Sequence, residues 1–314
     1  MAASSVSGNV PYQRLSSGLI RYTPRMRLAI LVCLLAAALV SPSHSSADKV
    51  LMDEPSLFGR VVVYQKASGL VVLAFDGTHA QSAYNPQQPD DLVFEYVKVM
   101  AGAPAFVPAP KRVLLVGLGG GTLPSFWLRH FPEIAVDAVD IDPVVVKAAY
   151  QHFDMPRTER LRARVADGRK FIEQARSKWD VIVLDAYGPE SVPAHLTTKE
   201  FLEAVKVRTN PGGVVMANLH SNSPAYSAML RTYHAVFETV DIITPREQPL
   251  SRIVVAYPAK PSDPRDRVLK RLSKWTADFR LPFALGRIIS EGWKPAPLDP
   301  KLRPLTDTSQ DAKK

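Results

Sequence analysis

The sequence predicts an α/β protein, a doubly wound and mostly parallel sheet preceded by a small N-terminal β-hairpin domain. Three observations predict it. Apolar runs of strand length alternate with segments of helical spacing from residue 112 to residue 257, the pattern of a parallel sheet with crossover helices. The first of those runs, Arg112 to Val116, breaks into the glycine-dense turn Gly117-Leu-Gly119-Gly120-Gly121, which lets backbone N–H groups and a helix N-terminus face a ligand. The next two runs close on carboxylates, in Val139-Asp140-Ile141-Asp142-Pro143 and Ala166-Asp167-Gly168.

The elements follow in order. Residues 1–47 carry Arg14, Arg21, Arg25 and Arg27 with no acidic residue, and Leu28 to Val40 is an unbroken apolar run of 13. That is short for a membrane span and right for a signal peptide. Small residues at Ser45-Ser46-Ala47 offer a cleavage site, and Met26 is an alternative start. The expectation is an exported, periplasmic or secreted protein; the alternative is an uncleaved N-terminal membrane anchor. In residues 48–103, Gly59–Tyr64 and Leu70–Phe75 read as a hairpin, with a third short strand near Gln81 and a helix over Asp91–Gly102.

A proline-rich hinge at 104–110 opens the main domain, 104–258. Strands are predicted at 112–116, 135–140, 161–166, 179–184, 213–218, 239–243 and 252–257. Helices are predicted at 122–130, 143–152, 168–176, 197–207 and 223–237. The last two strands, coming in succession, imply an antiparallel closing hairpin. Residues 259–314 are rich in proline and charge, and predict an extension with one helix at 264–279 and a loose terminus.

Composition excludes several classes. With the four leader arginines set aside, 35 of the 39 basic residues remain against 30 acidic ones, a mild net charge of +5. That charge is dispersed and does not point to nucleic acid. The single cysteine, Cys33, lies in the leader, so the mature chain has no disulfide, thiol nucleophile or cysteine zinc site. His79, His220 and His234 lack ligand spacing, and no metal is expected.

The strand-end motifs point to a nucleoside. A carboxylate closing the second strand, Asp140, suits ribose hydroxyls. The glycine spacing is tighter than the usual dinucleotide turn, and Asp167-Gly168 ends a third strand where adenine would be read. Together these fit S-adenosylmethionine-type ligands better than a nicotinamide dinucleotide. Gly117, Gly119, Gly120, Gly121, Asp140, Asp142, Asp167 and Gly168 are therefore the candidate donor-binding residues.

The same residues, in the same order, resemble the spermidine synthase (polyamine aminopropyltransferase) family over roughly Glu54 to Tyr257. The resemblance is carried by Ser56-Leu-Phe-Gly-Arg60, Asp76-Gly77 with Gln81-Ser82, the glycine loop and the two strand-end motifs. Trp179-Asp-Val-Ile-Val-Leu-Asp185 and Asn210-Pro-Gly-Gly213 continue it, and Leu305-Thr306-Asp307 is similar to a C-terminal tag of the family's membrane-fused branch. The resemblance implies a class I methyltransferase-like Rossmann sheet behind a small β-domain. It further implies transfer of an aminopropyl group from decarboxylated S-adenosylmethionine to an amine, with Asp185 as the base, Asp140 on ribose, Asp167 on adenine and Gln81 facing the pocket. A homodimer is implied by the family alone.

The departures fall on the acceptor side. Family synthases carry an aspartate in the glycine loop and another three residues after the base; here those positions are Gly119 and Gly188. Their Tyr-His-Glu run becomes Phe94-Glu95-Tyr96, leaving Glu95, Tyr96, Tyr187, Glu190 and His195 as compensating candidates. Two alternatives stand beside aminopropyl transfer. One is a methyltransferase using S-adenosylmethionine itself, for whose carboxylate Gly119 leaves room. The other is an exported non-catalytic nucleoside-binding or scaffold protein.

Overall fold

The computed structural model describes residues 48–311 apart from Thr78, Pro189, Glu190 and Ser262. The leader lies outside the described residues. Four antiparallel strands come first, β1 (Lys49–Ser56), β2 (Gly59–Gln65), β3 (Val71–Phe75) and β4 (His79–Tyr84), paired in that order. The hairpin and the strand near Gln81 are those the sequence predicts. β1 is new, pairing along β2 from Lys49↔Gln65 to Ser56↔Gly59. Its Asp53-Glu54-Pro55 stretch breaks the period-2 pattern by which strands are recognised.

After α1 (Glu95–Ala101) and a 3₁₀ turn at Ala103–Phe106, strands and helices alternate as predicted: β5 (Arg112–Val116), α2 (Thr122–His130), β6 (Ala135–Asp140), α3 (Pro143–His152), β7 (Leu161–Val165), α4 (Gly168–Gln174) and β8 (Trp179–Leu184). Then come α5 (Lys199–Arg208), β9 (Thr209–His220), α6 (Tyr226–Val236), β10 (Thr239–Ile243) and β11 (Ser251–Tyr257). With β12 (Trp293–Pro295) they build one eight-stranded sheet in the order β12-β10-β11-β9-β8-β5-β6-β7. Strands β5 to β9 are parallel, while β11 runs antiparallel to β9 and β10 antiparallel to β11. The chain starts at β5, winds out to β7, then returns to β8 on the other side of β5. That reversal opens a crevice at the carboxyl ends of β5 and β8, where ligands of such sheets bind.

The strands read as continuous apolar runs because both sheet faces are covered. Val113, Leu115, Val181 and Val183 pack against α1 and α2, and Leu114, Val116, Ile182 and Val215 against α4, α5 and α6. Phe126 and Trp127 are buried, the Trp127 indole N–H donating to the Ala101 carbonyl at 3.0 Å. Helix α1 thus belongs to the core of the α/β domain rather than to the small sheet. That sheet packs Val61, Val63, Leu73 and Phe75 onto Val145 and Ala148 of α3 and onto Phe153, forming the roof of the crevice.

The C-terminal segment holds the helix predicted at 264–279 and adds elements beyond it. Through residue 311 it is an ordered part of the fold, with α7 (Arg265–Asp278), α8 (Leu285–Gly292), strand β12 on β10 and a short α9 (Asp307–Asp311). Its composition hides how few residues do this. Val268 and Leu272, then Leu285 and Ile289, are spaced four apart on single helix faces, and all four are buried. Among the described residues no helix is long and apolar enough to cross a membrane.

Candidate active site

Three strand ends are stitched together at the switch point. The Gly117 N–H donates to the Val139 carbonyl and the Asp185 N–H to the Val116 carbonyl, both at 2.8 Å. Gly117 has φ +91°, and a Cβ there would lie 2.3 Å from the Asp185 carbonyl oxygen. Only glycine lets the ends of β5 and β8 meet this closely. Asp140 then fixes the loop: its carboxylate accepts from the Leu118 N–H at 2.8 Å and the Asp142 N–H at 2.9 Å.

Each strand-end carboxylate has its own setting. Asp142 caps α3, one oxygen accepting from the Val144 N–H at 2.8 Å. Its other oxygen, Oδ2, is buried without a hydrogen-bond partner among the described residues. An orphaned buried acceptor is costly unless a ligand satisfies it. Asp167 caps α4 through the Lys170 N–H at 3.0 Å, and its second oxygen lies 3.3 Å from His195 Nε2. Asp185 accepts from Asn218 Nδ2 at 3.1 Å.

These groups surround one cavity of about 310 Å³. Its roof is Leu73, Phe75, Gln81 and Ser82 of the small sheet, and Tyr96 and Val97 of α1 enter from the side. Asp185, half-buried, lines this space. Enclosure pushes its pKa up to about 7, with the Asn218 hydrogen bond opposing the rise. Enclosure likewise raises Asp140, against the pull of its backbone N–H partners. The Tyr96 and Tyr187 hydroxyls are raised too, by burial first and then by the Asp185 charge, so both stay neutral donors. Tyr187 donates to the Asn218 carbonyl at 3.1 Å, which ties the loop after β8 to β9.

Of the ten residues singled out from the sequence, eight line this cavity: Gln81, Gly117, Gly119, Asp140, Asp142, Asp167, Gly168 and Asp185. Gly120 and Gly121 do not. A Cβ at Gly120 would strike Phe153 at 2.4 Å, and one at Gly121 would strike the Met155 sulfur at 2.5 Å. Half of the glycine motif therefore serves packing beneath the turn rather than ligand approach.

The compensating acceptor candidates separate. Tyr96 and Tyr187 face the cavity. Glu95 turns away and accepts from the Glu247 N–H at 2.5 Å. His195 lines the cavity, but over Asp167 and away from the acceptor end. Glu190 lies outside the described residues. The loop at 85–90 is pinned to α2, the Asp90 carboxylate lying 2.8 Å from Arg129 Nε and 2.9 Å from His130 Nε2, while Tyr84 donates to Asp154 at 2.9 Å. Asn218, the hydrogen-bond partner of Asp185, is the residue of this site that sequence reasoning missed. Its signal was present, an amide buried inside the apolar run of β9, where a polar side chain needs a partner.

The C-terminal segment braces the wall beside Asp167. Arg169 donates to both Asp307 carboxylate oxygens at 2.7 Å. The same guanidinium reaches the His195 carbonyl at 3.2 Å. The Leu305 carbonyl accepts from the Lys199 N–H at 2.8 Å. Leu305-Thr306-Asp307 is thus a strap across the 194–200 segment.

A switch-point crevice flanked by a glycine turn and three strand-end carboxylates defines a nucleoside-binding protein of the methyltransferase-like class. Known proteins narrow the class. Residues 93–244 match the Spermine/spermidine synthase domain family. The chain is 32% identical over 263 residues to a polyamine aminopropyltransferase of Vibrio vulnificus, covering 82% of this chain and 87% of that protein. Among solved structures, a probable spermidine synthase from Corynebacterium glutamicum superposes with TM-score 0.62 at 20% identity, covering 81% of this chain and 99% of that one. Human methyltransferase-like protein 13 in complex with SAH gives TM-score 0.53 at 28% identity, covering 66% of this chain and 96% of that one. The chain belongs to the spermidine synthase (polyamine aminopropyltransferase) family.

Proposed function

We propose that the protein transfers an aminopropyl group from decarboxylated S-adenosylmethionine to an amine acceptor, with Asp185 as the base. One observation carries the assignment of roles: Asp185, an enclosed carboxylate with a pKa pushed up to about 7, shares a cavity with the strand-end carboxylates of a nucleoside site. The acceptor ammonium gives a proton to Asp185, and the neutral nitrogen so formed attacks the aminopropyl carbon bonded to the sulfonium. A C–N bond forms, the C–S bond breaks with its electron pair returning to sulfur, and methylthioadenosine leaves. The product keeps its charge as a secondary ammonium, and Asp185 returns its proton to solvent.

The donor fits the residues present. Asp140 has lone pairs left for ribose hydroxyls after accepting its two N–H bonds. The free Asp142 Oδ2 offers an acceptor beside them, and Ala166, Asp167 and Gly168 form the adenine end. Gly117 and Gly119 allow close approach, with Gln81 above. The leader supports export to the periplasm or beyond, with membrane attachment only through an uncleaved leader, and family membership is the support for a homodimer.

Calorimetric titration of the purified protein tests the donor. Methylthioadenosine and decarboxylated S-adenosylmethionine are expected to bind. Preference for S-adenosylmethionine would move the assignment to methyl transfer, for which the open space at Gly119 is the favouring feature. Binding of none of the three would overturn a nucleoside function.

A further inference from the structure

We propose that the acceptor is a monoamine, one cationic nitrogen on an uncharged and largely apolar remainder, rather than a diamine. The inference rests on aminopropyl transfer as proposed above and goes on to name its substrate class.

Four carboxylates among the described residues line the cavity, and three are committed. Asp140 holds the glycine turn, Asp142 caps α3, and Asp167 caps α4 while facing His195. Among the described residues Asp185 alone is left for an incoming amine. The only other acidic side chain near it on α1, Glu95, is spent on the Glu247 backbone. A second ammonium brought into this space would be desolvated without a counter-charge, a penalty of several kcal/mol.

The remaining lining near the entry from α1 and the small sheet is apolar or phenolic. Phe58, Phe75, Tyr96, Val97 and Tyr187 face the cavity, with Gln81 and Ser82 as uncharged polar groups. Neither lysine nor arginine lines it among the described residues, so an acceptor carrying a carboxylate or phosphate would also be left unpaired. One amine against Asp185 and a hydrocarbon against the rings is the combination the surroundings satisfy.

Space does not explain the missing carboxylates. A Cβ at Gly188 would meet nothing nearer than the Ser191 carbonyl oxygen at 3.6 Å, and one at Gly119 nothing nearer than Ser82 at 3.6 Å. The cavity has room for an acidic side chain at either position and carries none. Gly119 has φ +53°, where a side chain is strained whatever the space, whereas Gly188 is free of that left-handed strain.

Methylthioadenosine release is measured with the full-length protein, decarboxylated S-adenosylmethionine and matched amine pairs: butylamine against 1,4-diaminobutane and hexylamine against 1,6-diaminohexane. The monoamine of each pair is expected to have kcat/KM at least about tenfold higher, a floor set by the cost of an unpaired buried charge. Gly188→Asp is expected to narrow or reverse that ratio. Equal or better turnover of the diamines by the unaltered protein overturns the inference and leaves aminopropyl transfer standing. Absence of methylthioadenosine with every amine, from protein that binds the donor, overturns aminopropyl transfer itself.

Discussion

The two halves of the cavity are built from different materials. On the donor side, recognition is written into the frame: strand ends, a helix cap and backbone N–H groups hold Asp140, Asp142 and Asp167 in place. On the acceptor side, one carboxylate stands among phenols and apolar side chains, positioned by a single amide. The first half changes only if the sheet changes. The second turns on a few side chains that nothing in the fold requires, so a family fold can keep its donor while its acceptor drifts.

The sharpest way to break this comparison is at Asp185. Asp185→Asn is expected to lower turnover by about a thousandfold, the scale of a lost general base, while methylthioadenosine affinity stays within about threefold by calorimetry. The same substitution is expected to stabilise the fold. Asp185 keeps its proton in the folded protein up to about pH 7, whereas in the unfolded chain it ionises near pH 4. The native state binds more protons between those values, so its stability falls as pH rises across that window. At pH 8, urea unfolding of Asp185→Asn is expected to show a gain of about 2 kcal/mol, after allowing for water in the cavity. Unchanged stability there would mean that the carboxylate is not charged at a cost.

Asp140→Asn tests the donor half. It removes the charge from two charge-assisted hydrogen bonds and from the ribose partner, and is expected to weaken methylthioadenosine binding about 10- to 100-fold, with kcat at saturating donor nearly unchanged. A fall in kcat alone would merge the two halves into one. Next in size is pH itself. kcat/KM is expected to rise about tenfold per unit below pH 7 and level off above it, following the ionisation of Asp185. A flat profile from pH 5.5 to 8 would remove Asp185 as the base. The smallest effect is expected from Asp307→Ala, which frees Arg169 from its bidentate partner. Donor KM should rise a few-fold with kcat unchanged, because the strap steadies the His195 segment without touching the reacting atoms; a changed kcat would contradict that.

Much of the fold was legible because a parallel sheet buried on both faces leaves strong traces. Val113, Leu115, Val181 and Val183 fall in unbroken apolar runs, and the helices between them start at recognisable caps such as Asp142 and Asp167. β1 left no such trace, because its acidic residues and proline interrupt alternation. Of the C-terminal helices the first was legible at 264–279, while α8 was hidden because only Leu285 and Ile289 give its short segment a buried apolar face. In the site, Asp140, Asp167 and Asp185 were legible as carboxylates at strand ends. Gly120 and Gly121 do not line the cavity, and a glycine needed to clear Phe153 or Met155 looks the same in sequence as one needed to admit a ligand. The direction in which Glu95 points depends on a loop 152 residues away, at Glu247, and no local pattern holds that information.

Distance along the chain gives the strap at Leu305-Thr306-Asp307 a role in time. Its partner Arg169 precedes Asp307 by 138 residues, so a protein emerging from its N-terminus completes the nucleoside crevice long before it makes the brace for one wall. Until those residues arrive, Arg169 can hold the His195 carbonyl and the Thr198 hydroxyl but lacks its own bidentate partner. The growing chain therefore passes through a stage in which the crevice is formed but unlatched, and the latch closes only once residues 305–307 have been made.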